Sequence, residues 1–189
     1  DLGLQIYNNT IQLNGNALSA SASNWSYCIF FGTGVTGAVK LQGNLLMNRL
    51  GRTAAQAGGN FALYTATAAS PTVGPFNVVS GGLISSNSYG AEGLNTANNY
   101  VVGSNSGNYT LLKQWQTAIN QDFTSYSFNS FFSNDSTPTP DPVFAGPLFN
   151  GSLTVGGVNN DIAGNSRPTP YSCMGALQFS LDYLPLTGG

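Results

Sequence analysis

Residues 3–20, GLQIYNNTIQLNGNALSA, set the tightest limit on what this chain can fold into. Leu4 and Ile6 alternate with polar neighbours, Ile11 and Leu13 repeat the pattern, and Asn8-Asn9 and Asn14-Gly15-Asn16 break it. This is the signature of two very short strands joined by turns. A hairpin of that size is marginal in water, so Leu4, Ile6, Ile11 and Leu13 need a cover from elsewhere. Three copies of the chain lying side by side would supply it, by pointing Leu4, Ile6, Ile11, Leu13 and Leu18 into a shared three-fold seam.

The rest of the chain reads the same way. YCIFFG (27–32), AVKL (38–41), FALYTAT (61–67), FNVVS (76–80) and SLTVG (152–156) are short and rich in β-branched or aromatic residues. Gly, Asn and Pro turns such as GTG, SPTVGP and STPTPDP separate them. SCMGALQFSLDYLP, from Ser172, alternates like a long half-buried strand that Pro185 ends. TLLKQWQTAINQDF (110–123) fits a short helix behind a Thr110 cap and a strand about equally well. Strands of this length and spacing predict an all-β sandwich or barrel.

Charge excludes several function classes. Only 6% of the 189 residues are charged and the formal net charge is -2. Five scattered cations, Lys40, Arg49, Arg52, Lys113 and Arg167, cannot build the basic stripe that nucleic acid requires. The longest apolar runs fall far short of the roughly 20 residues of a membrane helix. Cys28 and Cys173 read as free thiols, and the five Asn-x-Ser/Thr matches, at Asn8, Asn24, Asn108, Asn134 and Asn150, are what an Asn- and Ser-rich chain produces by chance.

The chain has no histidine, which removes the Ser-His-Asp and Cys-His arrangements and the commonest metal ligand. Asp135 and Asp141 are the best carboxylate pair for a glycosidase, yet their Pro-rich context reads as a solvated loop. Asp161 in NNDIAGN reads as an Asx-turn rather than a calcium ligand. GTGVTG (32–37) reads as a hairpin turn rather than a phosphate loop. The aromatic clusters Trp25/Tyr27, Phe30/Phe31 and Phe123–Phe132 read as core. Arg52 and Arg167, both in loop-like context, are the candidate ligand contacts. No catalytic residue, metal or cofactor is expected.

LGLQIYNNTIQLNGNALSA resembles the terminal shaft repeat of an adenovirus fibre, and GALQFSLDYLP resembles that family's closing strand. The departure from the mammalian head opening, with only SNWSYC in its place, suggests a divergent, non-mammalian member. The resemblance implies a short triple β-spiral shaft segment, residues 1–20, and a head domain, residues 21–189, that is a homotrimeric antiparallel β-sandwich with Greek-key-like connections. It implies a non-enzymatic viral attachment protein on the virion capsid surface, assembled in the host nucleus. Its partners would be a host cell-surface receptor, protein or sialylated glycan, and the rest of the shaft and the penton base through an N-terminal part. Two other readings remain open: a glycan-binding adhesin or lectin, and a phage tailspike with glycosidase activity.

Overall fold

The computed structural model describes residues 3–18, 24–35, 38–52, 58–68, 70–93, 98–127, 132–134, 137–140, 148 and 151–178. Strands β1 (Leu4–Tyr7) and β3 (Ser26–Phe31) form where the alternation and the YCIFF run place them, while β2 (Thr10–Leu18) runs on through Asn14-Gly15-Asn16, which is a register shift in the pairing with its sheet neighbour rather than the expected turn. They are followed by β4 (Val39–Gln42), β5 (Leu45–Arg52) and β6 (Gly59–Thr65), then by β7 (Leu83–Ser85), β8 (Ser88–Ala91) and β9 (Asn98–Ser104). The three triplets are three successive coils of one winding, because each strand pairs in parallel with its counterpart in the next coil. Sheet A is β1-β4-β7, sheet B begins β2-β5-β8, and sheet C begins β3-β6-β9.

The described residues are therefore all-β with one short helix, but the expected antiparallel pairing is corrected. Antiparallel pairs among the described strands are limited to β9 with β10 (Gly107–Tyr109), β12 (Phe132–Asn134) with β13 (Thr137–Pro140), and β14 (Ser152–Leu153) with β15 (Tyr171–Ser172). Alternation of apolar and polar residues reports which face of a strand is buried and says nothing about the direction of its neighbour. Long connections between strands, rather than tight two-residue hairpins, are what parallel pairing needs.

In-register stacking places like residues over like. Ile6, Leu41 and Ile84 line the interior from sheet A, Ile11, Leu46 and Tyr89 from sheet B, and Ile29, Leu63 and Val102 from sheet C. The opening strands thus find lateral partners within their own chain: Leu4 lies opposite Val39, Ile6 opposite Leu41, Ile11 opposite Leu46 and Leu13 opposite Asn48. Ile6 and Ile11 pack on the core, while Leu4, on an edge strand, is 50% exposed. The side chain of Leu18 lies outside the described residues.

The corner between sheets A and B is built the same way in every coil. Asn8, Gly43 and Ser86 each take a left-handed conformation there, with φ of 52°, 68° and 54°. The next residue is Asn9, Asn44 or Asn87, and these side chains form a ladder. The Asn9 N–H donates to Asn44 Oδ1 at 2.9 Å, and the Asn44 N–H donates to Asn87 Oδ1 at 3.0 Å. Asn44 Nδ2 reaches the Ile6 carbonyl at 3.0 Å, and Asn87 Nδ2 the Leu41 carbonyl at 2.9 Å. Ser125 closes the ladder by accepting the Asn87 N–H at 2.7 Å. Backbone groups freed by each sharp corner are thereby satisfied inside the protein.

One end of the winding is capped. Helix α1 (Leu112–Ile119) buries Leu112, Trp115 and Ile119, and the short strand β11 (Tyr126–Ser127) adds to sheet B beside β8. The helix starts after Leu111, whose N–H is accepted by Gln114 Oε1 at 3.4 Å, so Thr110 is not its cap. No helix of the described residues is long and apolar enough to cross a membrane.

Three further sequence expectations are corrected. FNVVS is not a strand: Asn77 Oδ1 accepts the Val79 N–H, and residues 78–80 form a single 3-10 turn closed by Gly81 at φ 84°. The turn in GTGVTG, with the Val35 N–H on the Gly32 carbonyl at 3.1 Å, leads from β3 of sheet C to β4 of sheet A rather than closing a hairpin. Of the closing strand expected from Cys173, the described residues 173–178 follow β15 without continuing as strand, because Gly175 turns at φ 87° to give its N–H to the Gly43 carbonyl; residues beyond 178 lie outside the described part.

Candidate ligand-binding face

Parallel in-register pairing turns one outward aromatic per coil into a stack. On sheet C, Tyr27 lies opposite Phe61 and Phe61 opposite Tyr100; three residues further, Phe30 lies opposite Tyr64 and Tyr64 opposite Gly103. The Tyr27, Phe61 and Tyr100 rings follow one another at 5.4 and 5.0 Å, inclined by 21° and 22°. Phe30 and Tyr64 stack at 5.7 Å with planes 2° apart. Trp25, just before β3, leans on Phe61 at 5.5 Å. Tyr27 joins the two stacks through Phe30 at 5.1 Å and Tyr64 at 5.3 Å.

These six rings lie apart from the interior. The core draws Cys28, Ile29, Phe31, Ala62, Leu63, Val101 and Val102 from the same strands, and none of the six. Phe61 is 1% exposed because other rings surround it, while Trp25 and Phe30 are 40% and 52% exposed. Two glycines make room for the arrangement. A Cβ on Gly103 would stand 2.3 Å from the Phe61 ring and 2.6 Å from Tyr64, and one on Gly59 would stand 2.9 Å from Trp25. No Asp, Glu, Lys or Arg occurs in β3, β6, β9 or β10. Burial, and then the neighbouring Tyr64, pushes the Tyr27 hydroxyl above its ordinary pKa, so the face stays neutral.

The aromatic reading of the sequence therefore divides. Phe31 is core, set edge-on to Phe76, but Trp25, Tyr27 and Phe30 form an outer face. Phe123 is exposed at the capped end, and residues 128–131 lie outside the described part. The signal for the outer face was the recurrence of Tyr27-x-x-Phe30 as Phe61-x-x-Tyr64 in the next coil.

The other candidates have structural surroundings. Arg167 is buried, donating through its two terminal nitrogens to the Cys173 carbonyl at 3.0 Å and the Gly175 carbonyl at 2.7 Å. Burial lowers its pKa against the opposing pull of Asp161. Arg52 ends β5, and its side chain lies outside the described residues. Asp161 makes the expected Asx-turn, accepting the N–H of Ala163 at 2.9 Å, and also those of Asn165 and Gln178 at 2.7 and 2.8 Å. Burial alone would raise its pKa, and these donors hold its carboxyl below the usual value. Asp135 and Asp141 lie outside the described residues. Neither Cys28 nor Cys173 is in a disulfide; Cys173 Sγ accepts Gln178 Nε2 at 3.2 Å, and burial pushes the Cys28 thiol up, away from reactivity. Among the described residues no cluster of His, Cys, Asp and Glu could hold a metal.

Sequence reasoning missed Asp122. It is fully buried under the cap, where its Oδ2 accepts the Tyr89 hydroxyl at 2.8 Å and the Trp115 indole N–H at 3.1 Å. Its Oδ1 contacts the Ser125 hydroxyl, and its carbonyl accepts Gln116 Nε2 at 2.8 Å. This carboxyl pins α1 to β8, the sheet B strand of the third coil. It has no opening to solvent and serves the cap.

No family model, curated protein or solved structure matches the chain.

Proposed function

We propose that this protein is a non-catalytic attachment module that holds its carrier to a surface ligand through the outer aromatic face of sheet C. The observation that supports the reading most is the six-ring cluster, which the interior does not use and which leaves Trp25 and Phe30 open to solvent. Attachment is the role shared by the fibre-head and adhesin readings of the sequence. The tailspike reading requires two carboxylates across one cleft, and Asp161, with both oxygens engaged by nearby N–H groups, gives it no support.

The two attachment readings differ in stoichiometry. A viral fibre head, with its β-spiral shaft and a receptor on the host cell, acts as a homotrimer, and multivalent display turns weak single sites into firm adhesion. The adhesin or lectin reading predicts a monomer. Light scattering of the intact chain separates them.

The attachment role is tested on an array carrying both cell-surface glycans and receptor ectodomains. The native protein is expected to bind at least one class, and Phe30→Asp to lose about tenfold or more of that binding, or about 1.4 kcal/mol. Phe30 is half exposed, so the variant is expected to fold with a stability loss of no more than about 1 kcal/mol. Binding that survives Phe30→Asp unchanged, or no binding to either class, counts against the proposal.

A further inference from the structure

We infer that the ligand of this face is an uncharged glycan chain lying along β3 and stacked on Trp25 and Phe30; the inference rests on the attachment reading and gives it a ligand class. Three observations converge on it.

The first is charge. A sialylated or sulfated glycan needs an Arg or Lys fork, and β3, β6, β9 and β10 contain no cation. Arg167, offered by the sequence for an acidic sugar, has its two terminal nitrogens committed to backbone carbonyls in the C-terminal segment.

The second is area. Aromatic side chains present about 150–250 Å² each. With Trp25 and Phe30 at 40% and 52% exposure, the two rings together offer on the order of 200 Å². A stable protein partner requires roughly 800 Å² per side. A sugar chain, which needs only ring-sized contacts, fits the available surface.

The third is shape and chemistry. The Trp25 ring is linked to Phe30 through Phe61 and Tyr27, at centroid steps of 5.5, 5.4 and 5.1 Å. A run of contiguous rings suits several linked sugar rings rather than one. Pyranose rings have apolar C–H faces and a hydroxyl rim. The aromatic faces match the first, and the tyrosine hydroxyls of Tyr27, Tyr64 and Tyr100 bring matching donors and acceptors for the second.

The chain has two tryptophans, and Trp115 is fully buried, so added sugar can reach only Trp25. The test titrates the protein with neutral oligosaccharides (cello-, xylo-, manno- and malto-oligosaccharides) and with acidic ones (oligogalacturonate, hyaluronan fragments) while following tryptophan emission and heat. Saturable binding of at least one neutral series is expected, strengthening with chain length and weakened about tenfold or more by Phe30→Ala. In Trp25→Phe the emission change should vanish while calorimetry still detects binding. Binding of acidic sugars alone, or neutral-sugar binding unaffected by Phe30→Ala and Trp25→Phe, overturns the inference. If no neutral series binds but Phe30→Asp abolishes binding to an arrayed protein, the ligand class is wrong and the attachment role stands. If neither occurs, both fall.

Discussion

Asp122→Asn will remove most of the difference in stability that the native protein shows between about pH 4 and pH 7. Burial raises the Asp122 carboxyl from 3.8 to about 7, and the hydrogen bonds from Ser125, Tyr89 and Trp115 only partly oppose it. The groups facing it are Tyr89 and Asn87 from sheet B, Trp115 and Gln116 from α1, and Ser125 from the following turn. Tyr89 is the titratable one among them, and burial with the Asp122 charge pushes its hydroxyl well above its ordinary value. Among the described residues, no cation is a neighbour that would compensate an ionised Asp122.

The sign follows from proton binding. Between about pH 4 and 7 the folded protein keeps a proton that the unfolded chain has released, so stability falls as pH rises through that window and levels off above it. A shift of roughly three units corresponds to an upper limit on the order of 4 kcal/mol. Asparagine stays neutral at every pH, can still accept from Tyr89 and Trp115, and can donate to Ser125. Urea titrations at pH 4, 5.5, 7 and 8 should show the native protein losing stability relative to Asp122→Asn as pH rises. Parallel curves for the two proteins would show that Asp122 is charged throughout.

The second large effect is expected at Asn44. Its side chain accepts the Asn9 N–H and donates to the Ile6 carbonyl and to Asn87 Oδ1, all inside the corner between sheets A and B. Asn44→Ala leaves the Asn9 N–H and the Ile6 carbonyl without this partner at about 1–3 kcal/mol for each that water cannot reach, while Asn87 Oδ1 keeps the Asn44 backbone N–H. A loss of about 2–3 kcal/mol is expected, because the half-buried Ile6 carbonyl loses its amide donor while Asn9 is exposed. Asn9→Ala, at the solvent end of the same ladder, should cost no more than about 1 kcal/mol. Urea midpoints at unchanged m-value decide it. Equal losses for the two variants would mean that the ladder does not hold the coils together.

These two sites show what the sequence could and could not disclose. The strands β1, β2, β3, β4 and β6 were legible because short apolar alternation and flanking Asn or Gly fix where a strand lies. Their partners were not. Leu4 and Ile6 pair with Val39 and Leu41 far along the chain, and alternation is silent on which strand lies alongside. The recurring corner, Asn8-Asn9, Gly43-Asn44 and Ser86-Asn87, was written in the sequence, but the coils differ in length, so no fixed period exposes it. The closing alternation from Cys173 misled because a positive φ at Gly175 bends the backbone toward Gly43, a tertiary contact that no local pattern encodes.

The site was half visible. The aromatic residues stood out, yet whether an aromatic points inward or outward depends on strand register. Phe30 and Phe31 are neighbours, one more than half exposed and the other in the core. Arg167 looked like a surface cation because its neighbours Asn165, Ser166 and Pro168 are turn residues. The carbonyls of Cys173 and Gly175 that draw it inward become close only when the segment folds back on itself.

Binding of the ligand by the outer rings of sheet C, and by no other surface, is the central proposal. Its most direct test is NMR shift mapping with the tightest-binding neutral oligosaccharide. Changes centred on the Trp25 indole and the Phe30 and Tyr64 rings, with the Trp115 indole and residues 151–178 undisturbed, are the predicted result. Perturbations gathered on the C-terminal segment, with the sheet C rings silent, would contradict it.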